Sequence, residues 1–256
     1  MSDVTQSPPQ ADARVAFLGL PFANLDMAQA IAAVQRASEA TNWHYVVTPN
    51  AAHLSRLSKS DLALRQIYKN AHLCFLDSRV IWLLARLIGL RPPQVIPGSD
   101  LVAQLFQHAI TPMSPICVVG GGSNVARRLK ERFAVGTIYH TNPPMGFWQN
   151  EEEFEKAAAF VVACGARYTF LAVGSPQQEK LAAQVAAMGR ARGVGICVGA
   201  SIDFVTGSQQ RAPAFLQRLA LEWAYRFFME PRRLAYRYLV ESPKGVLFLL
   251  RNINRR

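Results

Sequence analysis

The sequence predicts an α/β fold of the Rossmann-like class, with a mostly parallel β-sheet, helices on both faces and a C-terminal helical appendage. Short, continuously apolar runs alternate with longer helical patterns, as they do when parallel strands are buried on both faces. A length of 256 residues suits one large domain, or one domain with an appendage.

The elements follow in order along the chain. The predicted strands are residues 15–20, 45–48, 73–76, 116–119, 137–140, 168–173 and 195–198. The predicted helices are residues 26–40, 51–70, 79–89, 100–109, 124–133, 151–164 and 177–192. We therefore divide the chain into a disordered, polar and Pro-rich N-terminus (1–13), a Rossmann-like core (14–210) and a basic, amphipathic helical appendage (211–256).

The composition limits the class of protein. Half of the residues are hydrophobic and 18% are charged, which excludes a disordered protein, a collagen-like repeat and a charged coiled coil. The net charge of +11 predicts an anionic partner: a nucleic acid, a phosphorylated ligand or an acidic membrane surface. Segment 211–256 alone has a net charge of +7, and aromatic residues are interleaved with its arginines.

The cysteines and the apolar runs indicate the compartment. The four cysteines have no CxxC or metal-like spacing, so we expect buried thiols in a reduced, cytoplasmic protein. The N-terminus has no apolar region typical of a signal peptide. The apolar stretch 80–90 is interrupted by Arg86 and is too short to span a bilayer. We therefore predict that the chain does not cross a membrane, although it can still lie on one.

Two polar corners follow neighbouring predicted strands, at the sheet edge where ligands of such folds bind. Thr48 and Asn50 come directly after the strand WHYVV and can face a ligand, or Asn50 can cap the next helix. Asp77 ends the strand HLCFL, where it can serve as a general base or as a helix cap. Both interpretations of each corner stay open.

Two further corners also end strands. Gly120, Gly121 and Gly122 open a helix, so their backbone N–H groups can approach a phosphate, although the third glycine of a dinucleotide fingerprint is missing. Gln178 and Glu179 lie in the first turn of the helix after Gly174-Ser175-Pro176. They can face the same edge, or they can belong to an ordinary helix start.

Several motifs do not occur in the sequence. It has no DxD pair, no histidines at ligand spacing, no GxSxG and no Walker A motif. We therefore expect no metal, no cofactor and neither a serine hydrolase nor a P-loop enzyme. Two alternatives stay open. The positive charge is compatible with a nucleic-acid-binding protein, and the glycine-rich turn is compatible with a nicotinamide-dependent oxidoreductase.

Taken in order, the corners match those of a known family. TPN at 48–50, an Asp at the next strand end, GSDL at 98–101, VVGGG at 118–122, NPPMGF at 142–147 and GSPQQE at 174–179 have its order and spacing. The block at 199–239 is the most specific. Over residues 15–240 the chain resembles the WecG/TagA/CpsF family, glycosyltransferase family 26.

The resemblance implies an activity and a location. It implies metal-independent transfer of a sugar, with inversion, from a UDP-sugar donor to a polyprenyl-diphosphate-linked acceptor in cell-envelope polysaccharide synthesis. The protein would be cytoplasmic and peripheral on the inner face of the cytoplasmic membrane, with an anionic membrane surface and no nucleic acid among its partners. A homo-oligomer stays open, and so does the donor sugar: N-acetylmannosamine, N-acetylmannosaminuronic acid or glucose.

The resemblance also implies residue roles. Asp77 matches the catalytic base, and Thr48, Asn50 and Gln178 match pocket residues. Three arginines match those of the family's appendage: Arg226, Arg233 and Arg237.

The chain departs from the family at two positions. Ser78 stands where the family usually has Gly, and Val95 stands where many members have Arg. Because the sequence has no DxD pair to hold a metal, we expect the Gly120–Gly122 turn and the appendage arginines to meet the diphosphate charge.

Overall fold

The described part of the chain begins with a β-hairpin rather than a strand of the main sheet. The computed structural model of the protein describes residues 14–57, 61–213, 215–216 and 221–251, so the predicted disordered segment 1–13 lies outside the described residues. Strands β1 (Arg14–Phe17) and β2 (Leu20–Ala23) pair antiparallel in a separate sheet. The prediction of one strand at 15–20 was wrong, because Leu18 and Gly19 both have positive φ, as a two-residue hairpin turn requires.

Six strands form the main sheet, and all their pairings are parallel, as predicted. In chain order they are β3 (Trp43–Val47), β4 (Leu73–Cys74), β5 (Ile116–Gly120), β6 (Ile138–Thr141), β7 (Tyr168–Ala172) and β8 (Gly193–Cys197). Their order across the sheet is β4-β3-β8-β7-β5-β6. The ends of β3 and β4 are therefore neighbours, whereas β5 lies three strands from β3.

Nine helices connect the strands within the described core. They are α1 (Met27–Ser38), α2 (Ala51–Leu57), α3 (Leu62–Asn70), α4 (Arg79–Leu87), α5 (Gly98–His108), α6 (Val125–Arg132), α7 (Glu151–Cys164), α8 (Gln177–Ala187) and α9 (Ser201–Val205). The prediction of one helix over 51–70 was wrong. A new helix starts at Asp61, whose side chain accepts a hydrogen bond from the Leu64 N–H.

The sheet separates two hydrophobic layers, because alternate strand residues face opposite sides. Val47 and Cys197 face the layer of α2, α3, α4, α7 and α8. Val46 and Ile196 face the layer of α1, α5, α6 and α9. Helices therefore cover both faces of the sheet, which confirms the predicted Rossmann-like fold.

The last part of the chain is helical and returns to the core. It comprises α10 (Glu222–Met229), α11 (Pro231–Tyr236), a π-helical turn (Arg237–Glu241) and α12 (Ser242–Arg251). Helix α12 packs on α2 so closely that a side-chain carbon on Gly245 would collide with the Ala51 carbonyl oxygen. Phe248 and Leu249 are buried in the same hydrophobic layer as α2. The final helix of the predicted appendage is therefore packed as core. Within the described residues, every helix is too short or too polar to cross a bilayer.

Candidate active site at the carboxyl edge of the sheet

Three loops meet where β3 and β4 end. The backbone N–H of Asp77 donates to the Pro49 carbonyl at 3.0 Å, which joins the loops after β4 and β3. The backbone N–H of Ile96 donates to the Leu76 carbonyl at 2.9 Å, so the segment before α5 extends the sheet edge beside β4. Val95, at the position of the family's arginine, pairs with Leu76 in this bridge. The backbone thus brings residues from three separate motifs together.

Gly98 closes this cluster by allowing a close approach. A side-chain carbon at Gly98 would lie 2.8 Å from the Thr48 hydroxyl oxygen and 3.5 Å from an Asp77 carboxyl oxygen. The Gly98 backbone N–H donates to the Asp77 carboxyl. Thr48 is buried, and its hydroxyl donates to the Cys197 carbonyl at 3.4 Å. The glycine of the GSDL motif is therefore needed to place Thr48 and Asp77 side by side.

The environment of Asp77 suits proton transfer near neutral pH. Burial, and after it the negative charge of Glu222, raises the pKa of Asp77 from 3.8 to about 7. The Gly98 N–H and the positive charges of Arg237 and Arg226 act in the opposite direction but are weaker. A carboxyl group with this pKa exists in both protonation states at pH 7, so it can accept a proton and release it again.

Residues of the C-terminal segment supply the charges around Asp77. The Arg226 guanidinium lies 5.1 Å from the centroid of the Phe204 ring, so it stacks on α9. Arg237 is half-buried, and burial lowers its pKa. The positive charges of both arginines lower the pKa of Asp77, as expected for a pocket that binds anionic groups. Arg233 lies in α11, and its side chain is outside the described residues.

Asn50 and His53 occupy the first turn of α2. The Asn50 side-chain oxygen accepts hydrogen bonds from the N–H groups of Ala52 and His53, so Asn50 caps the helix, as the alternative interpretation held. His53 was not singled out from the sequence. Its Nδ1 is buried and has no hydrogen-bond partner among the described residues. Burial lowers its pKa well below 6.5, and the charges of Arg237 and Arg56 lower it further, so the ring is neutral.

The spacing of Asn50, His53 and Arg56 could have revealed this face of α2. Residues three apart lie on one side of a helix, and this side faces the C-terminal segment.

Gln178 and Glu179 lie beneath the same edge and are almost completely buried. The Gln178 side-chain oxygen accepts from the Gly199 N–H at 2.9 Å, and its amide donates to Glu179 at 3.0 Å. Tyr68 donates to the same Glu179 oxygen at 3.1 Å. Burial raises the pKa of Glu179. Gln178 and Glu179 thus form a buried hydrogen-bonded pair that holds the loop after β8 in place. Contact of either residue with a ligand stays a prediction.

The Gly120–Gly122 turn lies at the same edge but farther along it. All three glycines have positive φ, and a side-chain carbon on Gly120 would lie 2.9 Å from the Ala172 carbonyl oxygen. Three strand spacings, about 14 Å in all, separate β5 from β3. The structure therefore places two groups of candidate site residues on one edge, with Thr48 and Asp77 at one end and the glycine turn at the other.

The described residues contain no group of three or more His, Cys, Asp or Glu side chains arranged to hold a metal ion. A doubly wound parallel sheet with polar residues at its carboxyl edge defines a Rossmann-like α/β protein. The model of the WecG/TagA/CpsF glycosyl transferase family matches residues 15–256. The chain belongs to this family, which confirms the resemblance and makes the protein a glycosyltransferase.

Proposed function

We propose that the protein is an inverting hexosyltransferase that moves a hexose or N-acetylhexosamine-type sugar from a UDP-sugar to a polyprenyl-diphosphate-linked saccharide. The acceptor would serve the synthesis of an exopolysaccharide, teichoic acid or surface antigen. The observation that supports this most directly is Asp77: a carboxyl group of raised pKa at the sheet edge, held by Gly98 and flanked by two arginines. This is the combination that a general base beside an anionic substrate requires.

The proposed reaction is a single displacement. The acceptor hydroxyl oxygen forms a bond to the anomeric carbon while the bond from that carbon to the UDP oxygen breaks. Asp77 takes the hydroxyl proton, and the electron pair of the broken bond leaves with UDP. Because base and leaving group lie on opposite sides of the sugar ring, the configuration inverts.

The leaving diphosphate needs positive partners as its charge develops. Arg226 and Arg237 are the candidates beside Asp77, with Arg233 as a third by family resemblance. The backbone N–H groups of Gly120, Gly121 and Gly122 are candidates at the far end of the edge. The separation of about 14 Å between β3 and β5 allows an elongated nucleotide-sugar to contact both subsites.

Peripheral membrane binding is the remaining part of the proposal. Phe228 and Tyr236 are strongly exposed on α10 and α11, and Trp223 is partly exposed. Aromatic side chains of this kind insert at the headgroup level, and neighbouring arginines are attracted to anionic lipids. We therefore place the protein on the inner face of the cytoplasmic membrane, where its lipid-linked acceptor resides; a homo-oligomer stays open.

A donor scan tests the proposed reaction. UDP-glucose, UDP-N-acetylmannosamine and UDP-N-acetylmannosaminuronic acid are each incubated with a short-chain prenyl-diphosphate saccharide, and the product is identified by mass spectrometry. We expect one donor to react and Asp77→Asn to abolish transfer. Asp61→Asn is the control, because Asn also caps helices well and Asp61 lies on α3.

Equilibrium titrations separate the alternative functions. We expect UDP to bind and NADH and an oligonucleotide not to bind. Transfer in the Asp77→Asn variant at the wild-type rate would contradict the assignment of the base. Tight binding of the oligonucleotide without any sugar transfer would contradict the proposed function as a whole.

A further inference from the structure

We propose that α4 and α12 together form a second membrane-binding face, which takes the anionic headgroups and upper acyl chains of a lipid bilayer. This inference deepens the proposed function and rests on it for the lipid-linked acceptor. It differs from the aromatic residues of α10 and α11 because half of the face belongs to the Rossmann-like core. We call it the α4–α12 face.

Four exposed leucines form the apolar part of this face. Leu83 and Leu87 lie one turn apart on α4, with exposures of 48% and 73%. Leu247 and Leu250 lie one turn apart on α12, with exposures of 49% and 43%. Each pair gives its helix an apolar outer side rather than a single exposed leucine.

The two helices are held next to each other by their inner sides. Helix α12 contacts α4 as well as α2. Ile81 and Ala85 of α4 are fully buried in the same hydrophobic layer as Phe248 and Leu249 of α12. Because the inner sides are fixed in the core, the outer leucines are presented on a rigid surface.

Exposed basic side chains accompany the leucines on both helices, and acidic residues are absent from the two helices. The sequences RVIWLLARL of α4 and SPKGVLFLLR of α12 contain no Asp or Glu. The exposed basic residues on the two helices and just after α4 are Arg79, Arg86, Arg91, Lys244 and Arg251. Within the described part of the chain, none of these five forms a salt bridge.

This pattern of charge favours a lipid surface over a second copy of the chain. Each basic residue close to an anionic bilayer strengthens binding by about fivefold. A symmetric dimer through the same face would instead bring like charges together, which disfavours association. Exposed leucines beside basic residues that have no acidic partner among the described residues therefore fit the boundary of headgroups and acyl chains.

The position of the face relative to Asp77 gives it a role in the reaction. Helix α4 begins at Arg79, two residues after Asp77. At about 1.5 Å of rise per residue, Leu83 lies only about 6 Å along the helix from Arg79. Docking of the α4–α12 face would therefore hold the proposed base close to the bilayer surface, where the diphosphate of a lipid-linked acceptor lies.

The test uses the full-length chain and vesicles of phosphatidylglycerol and phosphatidylcholine in equal parts. The variants are Leu83→Gln with Leu87→Gln, and Lys244→Gln with Arg251→Gln. Leu62→Gln is the matched control, because Leu62 is 77% exposed on α3, away from the face. Circular dichroism and thermal unfolding verify that each variant is folded.

We expect the leucine variant to lose at least about tenfold in vesicle affinity, because two apolar side chains no longer enter the lipid. The charge variant should lose about twentyfold or more, and the loss should shrink as salt rises. Leu62→Gln should bind like wild type. Wild-type binding by the leucine variant would overturn the inference, as would an equal loss in the Leu62→Gln control.

Sedimentation and two acceptors separate the other outcomes. If the wild type is a dimer and the leucine variant a monomer, with no vesicle binding by either, the face is a protein interface and the inference is wrong. With a short, water-soluble acceptor, the leucine variant should transfer sugar at the wild-type rate. With an acceptor in vesicles, transfer should fall in parallel with binding. Failure of sugar transfer in the wild type would contradict the proposed function without affecting the binding result.

Discussion

Arg56 of α2 and Glu241 of the π-helical turn form a bidentate ion pair, with both nitrogen–oxygen distances at 2.9 Å. The third nitrogen of the Arg56 guanidinium donates to the Ser175 carbonyl at 2.6 Å. One side chain thus joins the C-terminal segment to α2 and to the loop before Gln178. It fixes the segment that brings Arg226 and Arg237 to Asp77.

Loss of this pair should destabilise the protein. Glu241→Gln leaves Arg56 with a partly buried charge and a weaker partner, so we expect the free energy of unfolding to fall by about 1–3 kcal/mol. Glu131→Gln is the control, because the Arg127–Glu131 pair is exposed on α6 and should contribute less than about 1 kcal/mol. Urea denaturation measures both. Equal effects of the two substitutions would show that the Arg56–Glu241 pair has no special structural role.

Packing of α12 on α2 should depend on Gly245. Because a side-chain carbon there would collide with the Ala51 carbonyl oxygen, Gly245→Ala should force the helices apart and cost about 1–3 kcal/mol. Lys244→Ala, at an exposed position of the same helix, should change stability by less than about 0.5 kcal/mol. Thermal unfolding gives the comparison, and a neutral Gly245→Ala variant would mean that α12 is loosely packed.

The raised pKa of Asp77 should be visible in protein stability. The folded state holds the Asp77 proton up to about pH 7, whereas the unfolded chain releases it near 3.8, so this group reduces stability as pH rises between these values. Asp77→Asn removes the effect. We expect the variant to exceed the wild type by roughly 1–4 kcal/mol at pH 8 and to match it below pH 4. A difference that does not change with pH would rule out the raised pKa.

The same group should set the pH profile of sugar transfer. Only the carboxylate form accepts a proton, so the rate should rise with pH and level off above about 7. Glu222→Gln should move the midpoint to lower pH, because the Glu222 charge raises the pKa of Asp77. Asp77→Asn should lower the rate on the plateau above pH 7 by about 10²–10⁴, and the difference from wild type should shrink at lower pH. An unchanged midpoint in the Glu222 variant would show that α10 does not face the site during the reaction.

Gln178→Ala should affect stability as well as activity. The sequence alone predicts that Gln178→Ala weakens substrate binding without unfolding the chain, but the structure buries Gln178 and joins it to Gly199 and Glu179. Removal of the amide leaves the Gly199 N–H with only its longer bond to the Leu171 carbonyl, at 3.3 Å, and takes one donor from the buried Glu179. This should cost about 1–3 kcal/mol. Gln177→Ala, one residue earlier and less buried, is the control. If kinetics and urea denaturation both match the wild type, the hydrogen bonds of Gln178 are dispensable.

Transfer should not require a divalent cation. The basis is the sequence, which lacks the DxD pair that holds a metal on a nucleotide diphosphate. We expect the initial rate to be the same with and without EDTA. Loss of activity in EDTA, restored by Mg²⁺ or Mn²⁺, would contradict this prediction, and the arginines alone would then not account for the leaving-group charge.

The sequence by itself determined the parallel sheet and the sheet edge at which the candidate site lies. Continuously apolar runs predicted strands buried on both faces, and polar corners such as Thr48 and Asp77 marked where those strands end. These features depend on residues close together in the chain, so a local pattern reveals them. The hairpin turn at Leu18-Gly19 and the helix cap at Asp61 are also local features, but the alternation of apolar runs does not reveal them.

Only the tertiary structure decided which of these residues act together. The pKa of Asp77 depends on burial by three loops and on the charges of Glu222, Arg226 and Arg237, about 150 residues away in sequence. No periodic pattern encodes such contacts, because desolvation and Coulomb interactions depend on distance in space. For the same reason the sequence could not show that α12, at the end of a basic tail, packs as core beside the proposed base.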